Sequence, residues 1–388
     1  MTTLDKSISI LTDLIACPSV SSESNLDIIN YLANRIESCG AKVNLMTSED
    51  GKRANIFGTI GPEIDGGIVL SGHTDVVPAK ELNWNSDPFK LTKKDDLLYG
   101  RGACDMKGFI ATTLAAAEIL KNKKLNLPVH FSFTYDEEIG CFGALHLSKE
   151  LKKYKFKPSM VIIGEPTEME IIEAHKGDCE YTTCFYGMEG HASNPDKGLS
   201  AIQYGSLFTN KLFELENELK KRAPINSPFD PPWTTIQAGK IEGGVAHNVI
   251  AGQCSIDWEM RPVNNEDKDF VKNHLSNYCK NNLLPKMQSK FAKAKIETDI
   301  IGEIPGLIPK KENEIRVIMQ ELLQSNSTGV ISFGTEAGIF QEMDMDVIVC
   351  GPGSIDQAHK ANEFISLSEL EKCLKNLINL MDQWSKKS

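Results

Sequence analysis

Two histidines and five acids in this chain have the types and spacing to hold a pair of divalent cations beside a general base. Asp105 follows His73-Thr74-Asp75 at a distance of 32 residues from the histidine, and Glu137-Glu138 follows Asp105 after another 32. Glu165 and His359 complete the set. Residues i and i+2 at a strand end point the same way. His73 could therefore ligate through one ring nitrogen while Asp75 accepts the N–H of the other. Asp105 lies in the tight turn Gly102-Ala103-Cys104-Asp105-Met106-Lys107-Gly108, and its two oxygens suffice to bridge cations ~3.5–4 Å apart. Glu137 and Glu138 are neighbours, so one can ligate and the other face an attacking water. A Glu-Glu pair alone is usually a solvated turn; the joint placement of these residues carries the weight.

Nearly all of them follow a short apolar run. Ile68-Val69-Leu70 leads to His73, Val129–Tyr135 to Glu137, Met160–Ile163 to Glu165, and Val347–Val349 to a Gly-Pro-Gly turn and His359. Helical spacing of Leu4, Ile8, Leu11 and Ile15 predicts a helix stopped by Pro18, and Ile28, Ile29, Leu32 and Ile36 a second, ended by Gly40. A third spans Met106–Leu120. Alternating strands and helices predict an α/β domain with a mostly parallel central sheet, whose site lies beyond the carboxyl ends of the strands. From about 178 the order becomes β-α-β-β-α-β, with a helix near 199–220, strands at 236–241 and 252–260, a helix at 270–284 and a strand at 294–301. That is an α+β ferredoxin-like pattern. It predicts an inserted domain at 178–304 between two parts of the α/β domain, 1–177 and 305–388.

With 388 residues, two domains are expected. A net charge of −11 argues against a nucleic-acid partner. No run reaches the ~20 apolar residues of a membrane span, and the N-terminus lacks the features of a secretory signal. Ten scattered cysteines without a CxxC pair predict reduced thiols in a cytoplasmic protein. His130, His146 and His274 read as structural; His175 and His247 stay unassigned.

The stretches SGHTDVVPA (71–79), LYGRGACDMKG (98–108), TYDEEIGCFGA (134–144), GEPT (164–167), GMEGHASNPDKGLSAI (187–202), GGVAHNVI (243–250) and GPGSIDQAHKANEF (351–364) span almost the whole chain. Together they resemble the dinuclear zinc aminoacylase/carboxypeptidase family of metallopeptidases. The resemblance implies a zinc-peptidase-like catalytic domain with an inserted lid and dimerisation domain. It implies His73, Asp105, Glu138, Glu165 and His359 as ligands of two divalent ions, Zn²⁺ or Co²⁺, with Asp105 bridging, Asp75 orienting His73, and Glu137 as general base. By the same resemblance His191 reaches across a homodimer to the oxyanion, and Asn248 and Arg261 hold a carboxylate or carbonyl oxygen of the substrate. Thr335 and Glu336, in a Gly-Thr-Glu-Ala loop, also contact substrate, with Glu336 suited to a side-chain ammonium. The implied substrate is a small N-acyl amino acid. The segments are most similar to the branch that hydrolyses N2-acetyl-L-ornithine to L-ornithine and acetate for arginine synthesis. A desuccinylase of N-succinyl-diaminopimelate or a dipeptidase is the alternative. A binding protein without catalysis is disfavoured by the intact Glu137 and His191.

Overall fold

The computed structural model describes residues 2–80 and 83–386. The chain forms two units. One comprises the residues up to Ala174, Pro309–Ile331 and the residues from Thr335 onward; the other comprises His175–Ile308 and Ser332–Gly334.

The first unit is built on an eight-stranded sheet in the order 42–47, 54–60, 129–134, 68–73, 160–166, 346–351, 172–175, 329–331. The four strands Val129–Thr134, Ile68–His73, Met160–Pro166 and Asp346–Gly351 run parallel. Antiparallel strands flank them: 42–47 pairs 54–60, 54–60 pairs 129–134, and 172–175 pairs 346–351. The central strands are rich in Val, Ile and Phe and buried on both faces, as parallel strands covered by helices must be.

Helix Lys107–Ala117 is buried on every side. It packs against the sheet and against helices Thr3–Ile15 and Leu367–Trp384, which accounts for its Ala-rich, apolar sequence. The flanking helices present stripes at helical spacing, Ile10, Leu11 and Leu14 from one and Leu370, Leu374, Leu377 and Met381 from the other. The first of them begins with a capping box between Thr2 and Asp5. Near its other end the buried Lys107 Nζ donates to the carbonyls of Leu14 (3.1 Å) and Cys17 (2.9 Å), a cation placed at the negative end of the helix dipole. The Phe109 ring lies directly over Gly164; a Cβ there would come within 2.0 Å of it.

The second unit has a four-stranded antiparallel sheet in the order 235–243, 253–261, 178–186, 295–304. With helices Ala201–Lys221 and Asn265–Tyr278, this gives the ferredoxin-like connection expected from the sequence. Burial alternates along 178–186 and 253–261, so one sheet face builds a separate core around Phe185, Phe208 and the stacked Tyr181–Trp258 pair, 4.3 Å between centroids. The second helix starts earlier than its apolar spacing indicates, because Asn264 caps it by accepting from the Asp267 N–H at 2.8 Å. Past Tyr278 it continues through a π-helical segment into Leu284–Lys290. No helix among the described residues is long and apolar enough to cross a membrane.

Candidate active site

The carboxyl ends of the parallel strands collect the chemistry-bearing residues of the first unit. His73 ends its strand, Glu165 is the penultimate residue of its own, and Asp136-Glu137-Glu138 follows 129–134. Asp105 precedes the buried helix, and His359 follows strand 346–351 by way of the Gly351-Pro352-Gly353 turn.

They form two donor groups that share one residue: His73, Asp105 and Glu165, and Asp105, Glu138 and His359. In each group the ligand atoms lie within 4.8 Å of one another. His73 Nε2 is 2.9 Å from Asp105 Oδ1 and 3.6 Å from Glu165 Oε1. His359 Nε2 is 2.9 Å from Glu138 Oε2 and 3.5 Å from Asp105 Oδ2. Asp105 thus turns one oxygen to each group. One imidazole with two carboxylates is a donor set suited to Zn²⁺ or a similar divalent ion. Glu165 Oε1 is buried with no hydrogen-bond partner among the described residues. An orphaned buried carboxylate oxygen facing an imidazole nitrogen fits a ligand atom.

Burial and mutual repulsion perturb the acids of this cluster. Burial raises the Glu137 carboxyl well above its usual range, and Glu165, Glu138 and Glu336 add to that while His73 opposes it. Glu165 is raised in the same way by burial. Burial, with Asp105, lifts Glu138 to about 7. Burial works against the Asp105 carboxylate, but hydrogen bonds from His359 and His73 outweigh it and hold its pKa below the ordinary value. Burial likewise opposes a charge on His73, yet Glu165, Asp105 and Asp75 keep its pKa well above normal. Bonds to Asp105 and Glu138 bring His359 to about 10. Among the described residues, two histidines face these acids, a negatively charged cluster that suits divalent ions.

Asp75 differs from its expected use. The His73 Nδ1–H donates to the Asp75 main-chain carbonyl at 2.9 Å, whereas the carboxylate lies 3.6 Å away. That carboxylate instead accepts from Ser21 Oγ (2.7 Å) and from the N–H groups of Glu137 (3.1 Å) and Glu138 (3.3 Å). Asp136, at φ 52°, accepts from the Ser22 N–H and pairs with Arg53. The turn carrying the two glutamates is therefore clamped from both sides. The Cys141 thiol faces Glu137 Oε1 at 3.6 Å.

Glu336 is buried, not a solvated loop acid. Thr134 and Ser71 (3.4 Å) donate to its carboxylate, and burial lifts it to about 7. Thr335 is buried beside it, its Oγ1 accepting from the Ala337 N–H at 3.0 Å.

His191, Asn248 and Arg261 belong to the second unit. The Gly190–His191 strand pairs with Val249–Ile250, and the Ala192 N–H donates to the Asn248 carbonyl at 3.0 Å, so one ribbon carries the first two. His191 is exposed, its Nδ1 2.7 Å from Ser193 Oγ. Arg261 pairs with Asp178 and, at 2.7 Å, with Glu259. His130 is a buried core residue stacked against Phe57 and Phe156. His175 is also buried, with Nδ1 donating to the Lys176 carbonyl at 2.8 Å. Two residues near the centre escape a sequence reading: Arg101 and Glu363, buried and paired at 3.0 Å. Their only sequence signal is that they fall inside the stretches holding Asp105 and His359.

A family model described as peptidase family M20/M25/M40 matches residues 69–383. Acetylornithine deacetylase from Pasteurella multocida (strain Pm70) is 32% identical over 378 residues, 96% of each chain. That from Proteus mirabilis (strain HI4320) is 33% identical over 373 residues, 94% of this chain and 93% of its own. The fold is similar to the M20 family metallo-carboxypeptidase Sso-CP2 from Sulfolobus solfataricus, with TM-score 0.73, 20% identity and coverage of 98% and 99%. It is also similar to Bacillus subtilis YXEP, described as a dinuclear metal binding peptidase, with TM-score 0.64, 15% identity and 98% of each chain covered. By sequence, fold and donor set, the chain belongs to peptidase family M20/M25/M40 and is a metal-dependent hydrolase of that family.

Proposed function

We propose that this enzyme hydrolyses N2-acetyl-L-ornithine to L-ornithine and acetate, using two divalent cations held by His73, Asp105, Glu138, Glu165 and His359. One observation carries the hydrolytic reading: two donor groups share the Asp105 carboxylate, with the Glu137 carboxyl alongside at the same strand ends. The substrate rests on the near full-length similarity to acetylornithine deacetylases.

When bound, Zn²⁺ or Co²⁺ ions lower the pKa of water and polarise the amide carbonyl. Glu137 takes the proton from the water whose oxygen adds to the acetyl carbon. It then returns that proton to the nitrogen as the C–N bond breaks. Asp75 keeps Glu137 in place through the main-chain N–H. His191 of a second copy donates to the oxyanion, which makes a homodimer joined through the inserted unit the active form. Asn248 and Arg261 hold the substrate carboxylate; the planar guanidinium suits that group, once it exchanges Glu259 or Asp178 for it. Thr335 and Glu336 complete the substrate pocket on the side of the ornithine ammonium. The ten described cysteines are all free thiols, in keeping with a cytoplasmic enzyme.

The test is a substrate panel with added Zn²⁺ or Co²⁺: N2-acetylornithine, N-acetylmethionine, N-succinyl-diaminopimelate and a dipeptide. The highest kcat/KM is expected on N2-acetylornithine, with loss on chelation. A tenfold preference for the succinyl compound or the dipeptide assigns another substrate. Turnover unaffected by chelation removes the metal-dependent mechanism.

A further inference from the structure

Glu363 is buried four residues beyond His359, and its carboxylate meets the donor groups at the Asp105 main chain. That carboxylate is fully used. Oε1 accepts from the N–H groups of Cys104 (2.9 Å) and Asp105 (3.0 Å). Oε2 accepts from the Gly102 N–H (2.9 Å) and Arg101 Nη1 (3.0 Å). Four donors match the lone pairs of one carboxylate. Three of them are amides of one turn, Gly102, Cys104 and Asp105, of the kind that cradle anions. The same segment is tied at two further points. The Gly100 N–H donates to the Glu363 carbonyl at 3.0 Å, and Arg101 Nη1 reaches the Lys360 carbonyl at 3.3 Å. Arg101 is itself buried, its guanidinium 5.2 Å from the Trp84 ring centre.

We propose that Glu363 is a positioning residue that sets the spacing between Asp105 and His359, and so selectively controls cation affinity at the Asp105–Glu138–His359 group. Two of that group's three ligands sit on segments Glu363 joins, the turn at 100–105 and the loop at 359–363. In the other group, His73 and Glu165 sit on paired strands, and Asp105 alone depends on the brace. The inference rests on the two-cation reading given above.

The experiment is a Co²⁺ titration of the metal-free full-length protein, followed by calorimetry and visible absorption, for the parent, Glu363→Gln and His359→Ala. Gln keeps the shape but turns an NH₂ toward amide donors. The parent should bind two equivalents and His359→Ala one. Glu363→Gln should weaken one of the two equivalents by about 10–100-fold, the usual cost of losing a group that orients a ligand. In the His359→Ala background the same change should alter the remaining equivalent by less than about threefold, because its target group is already gone. Should Glu363→Gln fail to fold, Glu363→Asp, too short to span all four donors, is measured in both backgrounds with the same expectation. Two equivalents of parental affinity in the variants overturn the proposal. So does a tenfold loss in the His359→Ala background, which would make Glu363 a general support of Asp105. A parent that binds fewer than two equivalents overturns the two-cation reading and the proposal together.

Discussion

Asp75 illustrates what residue types disclose and what they withhold. The spacing His-x-Asp marks the pair, but only the folded chain shows the carboxylate serving the glutamate turn and the carbonyl serving the imidazole. The ligand types were legible because acids and histidines are conspicuous after apolar runs. Glu336 was marked only by resemblance, and its burial was not legible, since a glutamate in a loop carries no mark of it. Two variants test these roles. Glu137→Gln is expected to lower kcat by about 10²–10⁴ while binding as much Co²⁺ as the parent, read by kinetics and metal analysis. Glu336→Gln is expected to lower kcat/KM on N2-acetylornithine at least about tenfold more than on N-acetylmethionine, the effect of a charge-assisted bond. Equal losses on both would confine Glu336 to supporting Thr134 and Ser71.

At the scale of elements, the parallel strands and buried helix could be read from apolar runs, whereas their flanks could not. The edge strand 42–47 and the short 329–331 are half exposed and mixed in composition, so tertiary pairing and not local pattern defines them. Close packing makes its own predictions. Gly164→Ala should destabilise the protein by about 1–3 kcal/mol by forcing the Phe109 ring aside. Phe109→Ala in addition should cost less in that background than alone, a non-additivity measurable by urea denaturation. His130 adds a pH dependence. Burial lowers its pKa to about 4 from 6.5. Between those values the unfolded chain takes up the proton more readily than the folded one. Stability therefore falls as pH drops from about 6.5 toward 4 and is untouched above that range. The loss from this residue is about 3 kcal/mol. His130→Phe should flatten the acid limb by that amount when urea midpoints of metal-free parent and variant are compared across pH.

Across the whole molecule, two separate cores divide the labour, and the cation ligands all belong to one of them. Saturating Zn²⁺ at about a hundredfold over its Kd should stabilise that unit by ~3 kcal/mol. Hydrogen exchange should slow along 68–73, 129–138 and 160–166 and stay unchanged along 178–186 and 253–261; uniform slowing would contradict this. Strand 346–351 has a further consequence. It lies next to 160–166 in the sheet yet follows it in the chain by 180 residues. On a translating ribosome the second unit can fold from nearly contiguous sequence, while Met160–Pro166 waits with one edge unpaired. At ~5–20 residues per second that wait lasts roughly ten to forty seconds. Through that interval the nascent chain carries an open, apolar strand edge prone to wrong partners, so the yield of native enzyme should depend on elongation speed and on chaperones near the exit tunnel.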